Sequence, residues 1–286
     1  MPITFGVNTW TWHSPFNTED ARNLFPKVRR MGFDLVEIAL EDVSLLDPTE
    51  IRALLQDCGL HVALCGAFGP SRDLTHEDSA VRQQSLDYIQ ESLQFGEKIG
   101  AELFVGPMYS SVGKARLMPQ ETRLIEFERA VQGLKQAGVM ASDSGMTLGV
   151  EPLNRFETDL INIAAQVKRL IQAVGMRSVK IHLDTFHMNI EEESIFEAVV
   201  LAGDDLCHVH ASESNRGTPG MGFVAWDQLA LGLHKIDYSG AVVIETFTPE
   251  VKEIARAAAI WRPLAPSQDE LASNGLEFLH DVLEPM

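Results

Sequence analysis

A closed (β/α)₈ barrel is the fold class that this sequence predicts, and three observations predict it. Short apolar runs alternate with amphipathic helical stretches through almost the whole chain, the pattern of repeated strand-helix units. Eight such runs fit into 286 residues, slightly more than the roughly 250 typical of this fold. No G-x-G-x-x-G follows the first run, where an open, doubly wound dinucleotide-binding sheet would carry it.

The eight strands, in order, are "ITFGVNTW" from Ile3, "LVEIAL" from Leu35, "HVALCGA" from His61, "LFVGPM" from Leu103, "TLGVEPL" from Thr147, "VKIHLD" from Val179, "LCHVHAS" from Leu206 and "AVVIETF" from Ala241. The sixth is the plainest, with Val179, Ile181 and Leu183 alternating against Lys180, His182 and Asp184. Between the strands lie helices such as "TEDARNLFPKVRRMG", "EDSAVRQQSLDYIQESLQFGEKIG" and "LINIAAQVKRLIQAVG". Gly32 and Gly175, which close two of them, read as helix-stopping glycines. The C-terminal segment "WRPLAPSQDELASNGLEFLHDVLEPM" reads as a loop and a last helix, and no low-complexity linker divides residues 1–286, which read as one domain.

Composition narrows the function classes. The chain is 45% apolar, enough for one large core, and its net charge of -18, from 41 acidic against 23 basic residues, repels phosphate backbones and anionic lipid surfaces. Nucleic acid is therefore excluded as a partner. The start "MPITFGVNTW" lacks a basic n-region and an apolar h-region, and no apolar run approaches the roughly 20 residues of a membrane span, so a cytoplasmic location off the membrane is expected. Cys58, Cys65 and Cys207 form no CxxC pair and read as small core residues.

A barrel carries its active site at the C-terminal ends of its strands, and the last four strands all finish in metal-ligating residue types. These are Glu151, Asp184, His210 and Glu245, spaced 33, 26 and 35 residues apart, each about one strand-helix unit. By alternation Glu151 shares its face with Gly149, Asp184 with His182, His210 with His208 and Glu245 with Val243, so all four face the barrel interior. A single acid at a strand end is usually a helix cap or a solvated loop residue. Four converging ones are not. Three carboxylates packed together repel one another and lose hydration, whereas a divalent cation turns the same cluster into a favourable site. Oxygen-rich ligation with one imidazole suits Mn²⁺, Co²⁺ or Mg²⁺ better than structural Zn²⁺, with Mn²⁺ the first expectation. Further polar groups follow the same strands: Asn154, Arg155 and Glu157, then His187, then Glu213, Asn215 and Arg216. Glu191, Glu192 and Glu193 read as first-turn helix acids. Trp10, Trp12 and Phe16 follow the first strand and Phe68 the third, and are core by default.

In "EPLNRFE" from Glu151, "LDTFHMNIEE" from Leu183, "HVHASESNRGTPGMG" from His208 and "AVVIETF" from Ala241, the chain resembles the xylose-isomerase-like sugar isomerase and epimerase barrels. Within them it is most similar to the ketose 3-epimerases of D-tagatose, D-allulose (psicose) and L-ribulose. The likeness covers essentially the whole chain and is looser in the first half, through "GFDLVEIAL" and "GPSRDLT". It implies that Glu151, Asp184, His210 and Glu245 hold one divalent ion per chain, and that Glu151 and Glu245 also exchange the C3 proton of a free ketose through a metal-bound ene-diolate. It implies that Glu157, His187 and Arg216 bind the O1 to O3 end of the sugar and that the chain forms a homodimer or homotetramer; at the mouth of the barrel the aromatics, Trp12 and Phe68 first, are expected to face the sugar and exclude water. Two carboxylates on opposite faces of one carbon permit inversion, where one alone would return the proton to the side it left.

The chain departs from that pattern at Thr246, where relatives usually have proline, at Asn8 and Thr9, and in "GPMYSSVGK" from Gly106, which lacks a tryptophan. These positions concern the far end of the sugar and hence the choice of ketose. An aldose-ketose isomerase or a keto-sugar or keto-inositol dehydratase would need the same ion and base. A DNA-repair endonuclease would want more histidine ligands and a basic face, against the charge found, and nothing favours a sugar-binding protein without turnover. Arg216 and "GTPGMG" are thin for a phosphate dianion, so an unphosphorylated sugar is expected.

Overall fold

In the computed structural model, which describes residues 3–248 and 250–284, eight parallel strands pair in sequence order and close on themselves. Met1 and Pro2 of the N-terminal stretch, Pro249, and Pro285 and Met286 of the C-terminal segment lie outside the described residues. The elements run β1 Thr4–Asn8, α1 Thr18–Met31, β2 Leu35–Leu40, α2 Pro48–Cys58, β3 His61–Gly66, α3 Ser79–Ile99, β4 Leu103–Gly106, α4 Gln120–Asp143, β5 Thr147–Val150, α5 Ala164–Val174, β6 Val179–Asp184, α6 Thr185–Glu191, α7 Ile195–Ala202, β7 Leu206–Ala211, α8 Trp226–Lys235, β8 Ala241–Ile244, α9 Lys252–Ala257 and α10 Gln268–Leu283. The expected (β/α)₈ barrel is thus the observed one.

Local chemistry explains where elements start and stop. Asn17 caps α1 by accepting from the backbone N–H of Glu19 and Asp20, while Asp20 accepts from Asn17 in return. The helix ends at Gly32 with φ of 102°, a backbone state that only glycine adopts cheaply. Strand β1 stops at Asn8, short of the expected end, because the Asn8 side chain accepts from Trp10 N and folds Thr9–Thr11 into a 3₁₀ turn. Helix α5 begins at Ala164 rather than Leu160, because Asn162 donates to the carbonyls of Leu153 and Thr158 and so holds the preceding residues in the loop. No helix among the described residues is long and apolar enough to cross a membrane.

Outward-facing Val7, Ile38, Leu64, Phe104, Leu148, Ile181, Val209 and Val242 form the layer between barrel and helices, all fully buried. Inside the barrel, Leu35, Ala63 and Val243 plug the lower end. Above that plug the lining changes character: Glu37, His182, His208 and His210 are all 0% exposed. Gly149 makes room for them, since a Cβ there would sit 2.8 Å from Val105 and 3.2 Å from the Cβ of His182.

Candidate active site

Four strand ends converge as the spacing predicts. Asp184 is the last residue of β6 and His210 the fifth residue of β7, while Glu151 and Glu245 stand one position past the last paired residues of β5 and β8. One ligand atom each from Glu151, Asp184 and His210 lies within 4.8 Å of the others. Glu245 joins them, its Oε2 being 3.4 Å from His210 Nδ1. Asp184 divides its two oxygens: Oδ1 accepts from Phe186 N and caps α6, and Oδ2 faces the cluster. Its helix-cap role and its place in the cluster are therefore compatible.

Arg216 enters from the loop after β7. Its Nη1 is 2.6 Å from Asp184 Oδ2, 2.8 Å from Glu245 Oε2 and 2.7 Å from Ser212 Oγ, and its guanidinium lies over the ring of Phe186. The guanidinium supplies one positive charge against the three carboxylates of Glu151, Asp184 and Glu245. The remaining excess of negative charge is one that a divalent cation would offset. His210 Nδ1, fully buried and facing Glu245 and Asp184, has no hydrogen-bond partner, so it is an unused ligand atom on the cluster side. The donor set of three carboxylate groups and one imidazole suits a hard or borderline divalent ion, and the residues present fit one.

Electrostatics separate the two glutamates. Burial, with Glu245 and Asp184 nearby, pushes the Glu151 carboxyl well above its usual range. Burial pushes Glu245 the same way, but His210 and Arg216 outweigh it and hold that carboxyl below its usual range. Burial also raises Asp184 and Glu157, and it lowers His187, where Arg216 adds to the effect.

The remaining sequence candidates are distributed as follows. His187 lies in the first turn of α6, its Nδ1 accepting from Asn154 N at 3.1 Å and its Nε2 3.7 Å from Glu151 Oε1. Glu157 accepts from Asn154 Nδ2 at 2.8 Å. Both line the cavity, of about 480 Å³, into which Glu151 and Glu245 of the cluster also open. Phe68 lines it too, packed edge-on against Tyr88.

Trp12 does not line it. Its indole N–H donates to Asp269 on α10 at 2.7 Å and Lys27 lies 4.6 Å above its ring, so it packs on the outer helices. Trp10 takes the expected place at the mouth, tilted against Phe247 and bound through Nε1 to Glu41. The 3₁₀ turn after Asn8 breaks the strand alternation and thereby decides which tryptophan points inward. Glu191 and Glu192 are also placed differently: Glu191 ends α6 and pairs with Arg155, Glu192 accepts from Ala164 N, and Ser194 caps α7.

Two groups central to the site were not singled out for these roles by sequence. Glu213 is an organising residue: its carboxylate accepts from the N–H groups of Ser214, Gly220 and Val224 and from Trp226 Nε1, at 2.7 to 3.1 Å. It thus fixes the loop that holds Arg216, whose φ of 59° is a strained, left-handed state for a non-glycine residue. Glu37 on β2 binds His210 from behind. A lone acid on the inward face of an apolar strand was the available signal for it.

Fold and site together define a (β/α)₈ barrel with a carboxylate-imidazole cluster at its catalytic face. The Xylose isomerase-like TIM barrel family model matches residues 25–279. A probable ketose 3-epimerase of Synechocystis sp. is 33% identical over 282 residues, 99% of this chain and 97% of that one. A D-psicose 3-epimerase of Agrobacterium fabrum is 35% identical over 267 residues, 90% and 91% of the two chains. The crystal structure of a Methylomonas sp. D-allulose 3-epimerase in complex with D-allulose superposes with a TM-score of 0.92 at 28% identity, covering 98% of this chain and 97% of that one. The chain belongs to the xylose isomerase-like TIM barrels and, within them, to the ketose 3-epimerases, isomerase-class enzymes of carbohydrates.

Proposed function

We propose that this chain inverts C3 of a free, unphosphorylated ketose of the D-tagatose, D-fructose/D-allulose or L-ribulose class. The observation that carries the reading is the convergence of Glu151, Asp184, His210 and Glu245, of which Glu151 and Glu245 open onto the cavity beside Glu157, His187 and Arg216. Glu151, Asp184, His210 and Glu245 would hold one divalent ion, Mn²⁺ before Co²⁺ or Mg²⁺, which supplies Lewis-acid stabilisation of the negative charge that develops when C3 is deprotonated.

The protein's own groups do the rest. One of Glu151 and Glu245 removes the C3 proton and the other delivers a proton to the opposite face, which inverts the carbon. Arg216 and His187 orient the oxygen-bearing end of the sugar, and Glu157, held by Asn154, accepts from one of its hydroxyls. Trp10 and Phe68 wall off the far end from water. A cytoplasmic homodimer or homotetramer is the working assembly, which light scattering tests.

The experiment is proton exchange at C3. Mn²⁺-loaded protein is incubated in D₂O with D-tagatose, D-fructose, D-allulose and L-ribulose in turn, and products are followed by NMR. A new epimer with deuterium at C3, lost in Glu151→Gln and Glu245→Gln, is expected. Deuterium at C1 instead would identify an aldose-ketose isomerase, and loss of water a dehydratase. No exchange with any of the four would overturn the reading for free ketoses.

A further inference from the structure

Glu37 is the least expected residue in the barrel. It stands on β2, on the far side of the barrel from β7, fully buried, with a carboxylate whose desolvation is costly unless every oxygen finds a partner. Oε1 does: it is hydrogen-bonded to His210 Nε2 at 2.7 Å and to Asn8 Nδ2 at 2.7 Å, while Oε2 has no hydrogen-bond partner and lies 2.7 Å from His208 Nε2 as a close contact outside hydrogen-bond geometry. One carboxylate thus spans two imidazoles and an amide across the inside of the barrel.

We infer that Glu37 is a positioning residue for the metal ligand His210. A carboxylate accepts and does not donate, so the contact to His210 Nε2 places the proton on that nitrogen. In the neutral ring that can bind an ion, the lone pair then lies on Nδ1, the atom that has no hydrogen-bond partner and faces Glu245 at 3.4 Å and Asp184 at 4.0 Å. Ring orientation is thus fixed before an ion arrives, as is the tautomer of the neutral ring, and the negative charge behind the ring makes the imidazole a stronger donor. Asn8, bonded to the same oxygen, holds the carboxylate on the His210 side. A glutamine at position 37 would keep the shape but lose the charge and one of the two acceptors.

This inference rests on the reading of His210 as a metal ligand and is independent of which sugar reaction follows. Its test is Mn²⁺ binding to metal-free protein by isothermal titration calorimetry, for wild type, Glu37→Gln, Glu37→Asp and Asn8→Ala, with the Tm of each metal-free form measured alongside. Glu37→Gln is expected to weaken Mn²⁺ binding about 10- to 100-fold, and Glu37→Asp, which restores the charge, to recover part of that loss. Asn8→Ala retains the carboxylate but frees it, and a smaller weakening of about 3- to 10-fold is expected, which serves as the test should Glu37→Gln not fold.

A purely structural role would lower the Tm of the metal-free forms and leave the Mn²⁺ affinity of the folded protein unchanged. Affinities of the folded variants within about 2-fold of wild type would overturn the inference. A wild-type chain that takes up no divalent ion would overturn it together with the metal reading. Tight Mn²⁺ binding without C3 exchange would overturn the epimerase reading while leaving the Glu37 comparison decisive.

Discussion

The two halves of the barrel present different chemistry at the same rim. From β5 to β8 the strand ends and their loops bring Glu151, Glu157, Asp184, His187, His210, Arg216 and Glu245 to the cavity side. From β1 to β4 the corresponding positions are Trp10, Glu41, Phe68, Pro107 and Val112, a mostly apolar wall. One half of a concave site can thus supply convergent polar groups while the other supplies shape. Charges that must meet at one ion are cheapest to assemble on consecutive strands, because neighbouring ligands then also share their counter-charge. Arg216 shows this by touching Asp184 and Glu245 with one nitrogen. Glu37 is the exception that joins the halves, reaching from β2 to the back of His210.

If this division of labour holds, substitutions in the second half should remove kcat and those in the first half should raise KM. The largest effect is expected at the ligands. Asp184→Asn removes the charge that faces Arg216 and His210, and kcat/KM should fall about 1,000-fold or more. Chelation should abolish turnover of the wild type, and Mn²⁺ should restore it. An Asp184→Asn variant with near-normal kcat at saturating Mn²⁺ would break the comparison.

Next comes Glu213, which touches no substrate. Glu213→Gln leaves part of its set of donors without an acceptor, costing about 1–3 kcal/mol of stability. Displacement of Arg216 by about an ångström should lower kcat about 100-fold. Thermal unfolding and steady-state kinetics separate the two effects. On the wall, Phe68→Leu keeps an apolar surface but loses the edge-on contact with Tyr88, and KM should rise about 5-fold, equivalent to about 1 kcal/mol, with kcat retained.

These expectations also mark what the sequence makes legible. Strand number, strand order and the four converging ends are readable because each rests on a local pattern: a period of two within a strand, and one ligand type at each end. Glu37 is not readable in the same way, since its partner His210 is 173 positions away and no local pattern links them. Trp12 was expected at the sugar, and Trp10 is at the cavity, because one side-chain hydrogen bond from Asn8 turns the chain after β1 and cancels the alternation. Glu191 and Glu192, read as helix-start acids, instead serve Arg155 and Ala164, partners that only the folded arrangement of two loops supplies.

The smallest effect sharpens the comparison most finely, because it concerns what holds the wall in place. Val112 and Gly113, which line the cavity, belong to the loop after β4 and are tied to its neighbours by Val112 N donating to Phe68 O and Gly113 N to Glu157 O. The next residue, Lys114, is nearly buried and reaches down to Asp73 at 2.8 Å and Thr75 at 2.6 Å. Burial pushes the Asp73 carboxyl up, but Lys114 and Thr75 outweigh it, so the folded carboxyl titrates below its unfolded value of about 3.9. A carboxyl with a depressed folded-state pKa contributes stability above its unfolded pKa, and that contribution is lost as pH falls through the folded one. Lys114→Met should therefore cost about 1–3 kcal/mol at pH 7, measured by urea denaturation. The gap to wild type should narrow as pH falls from about 4, where the unfolded carboxyl takes up a proton, through the lower folded value of Asp73. In kinetics the same substitution should raise KM a few-fold and leave kcat intact, since the loop it loosens carries shape and no reacting group. A fall in kcat instead would mean that the apolar half also positions the chemistry, and the division between the two halves would have to be redrawn.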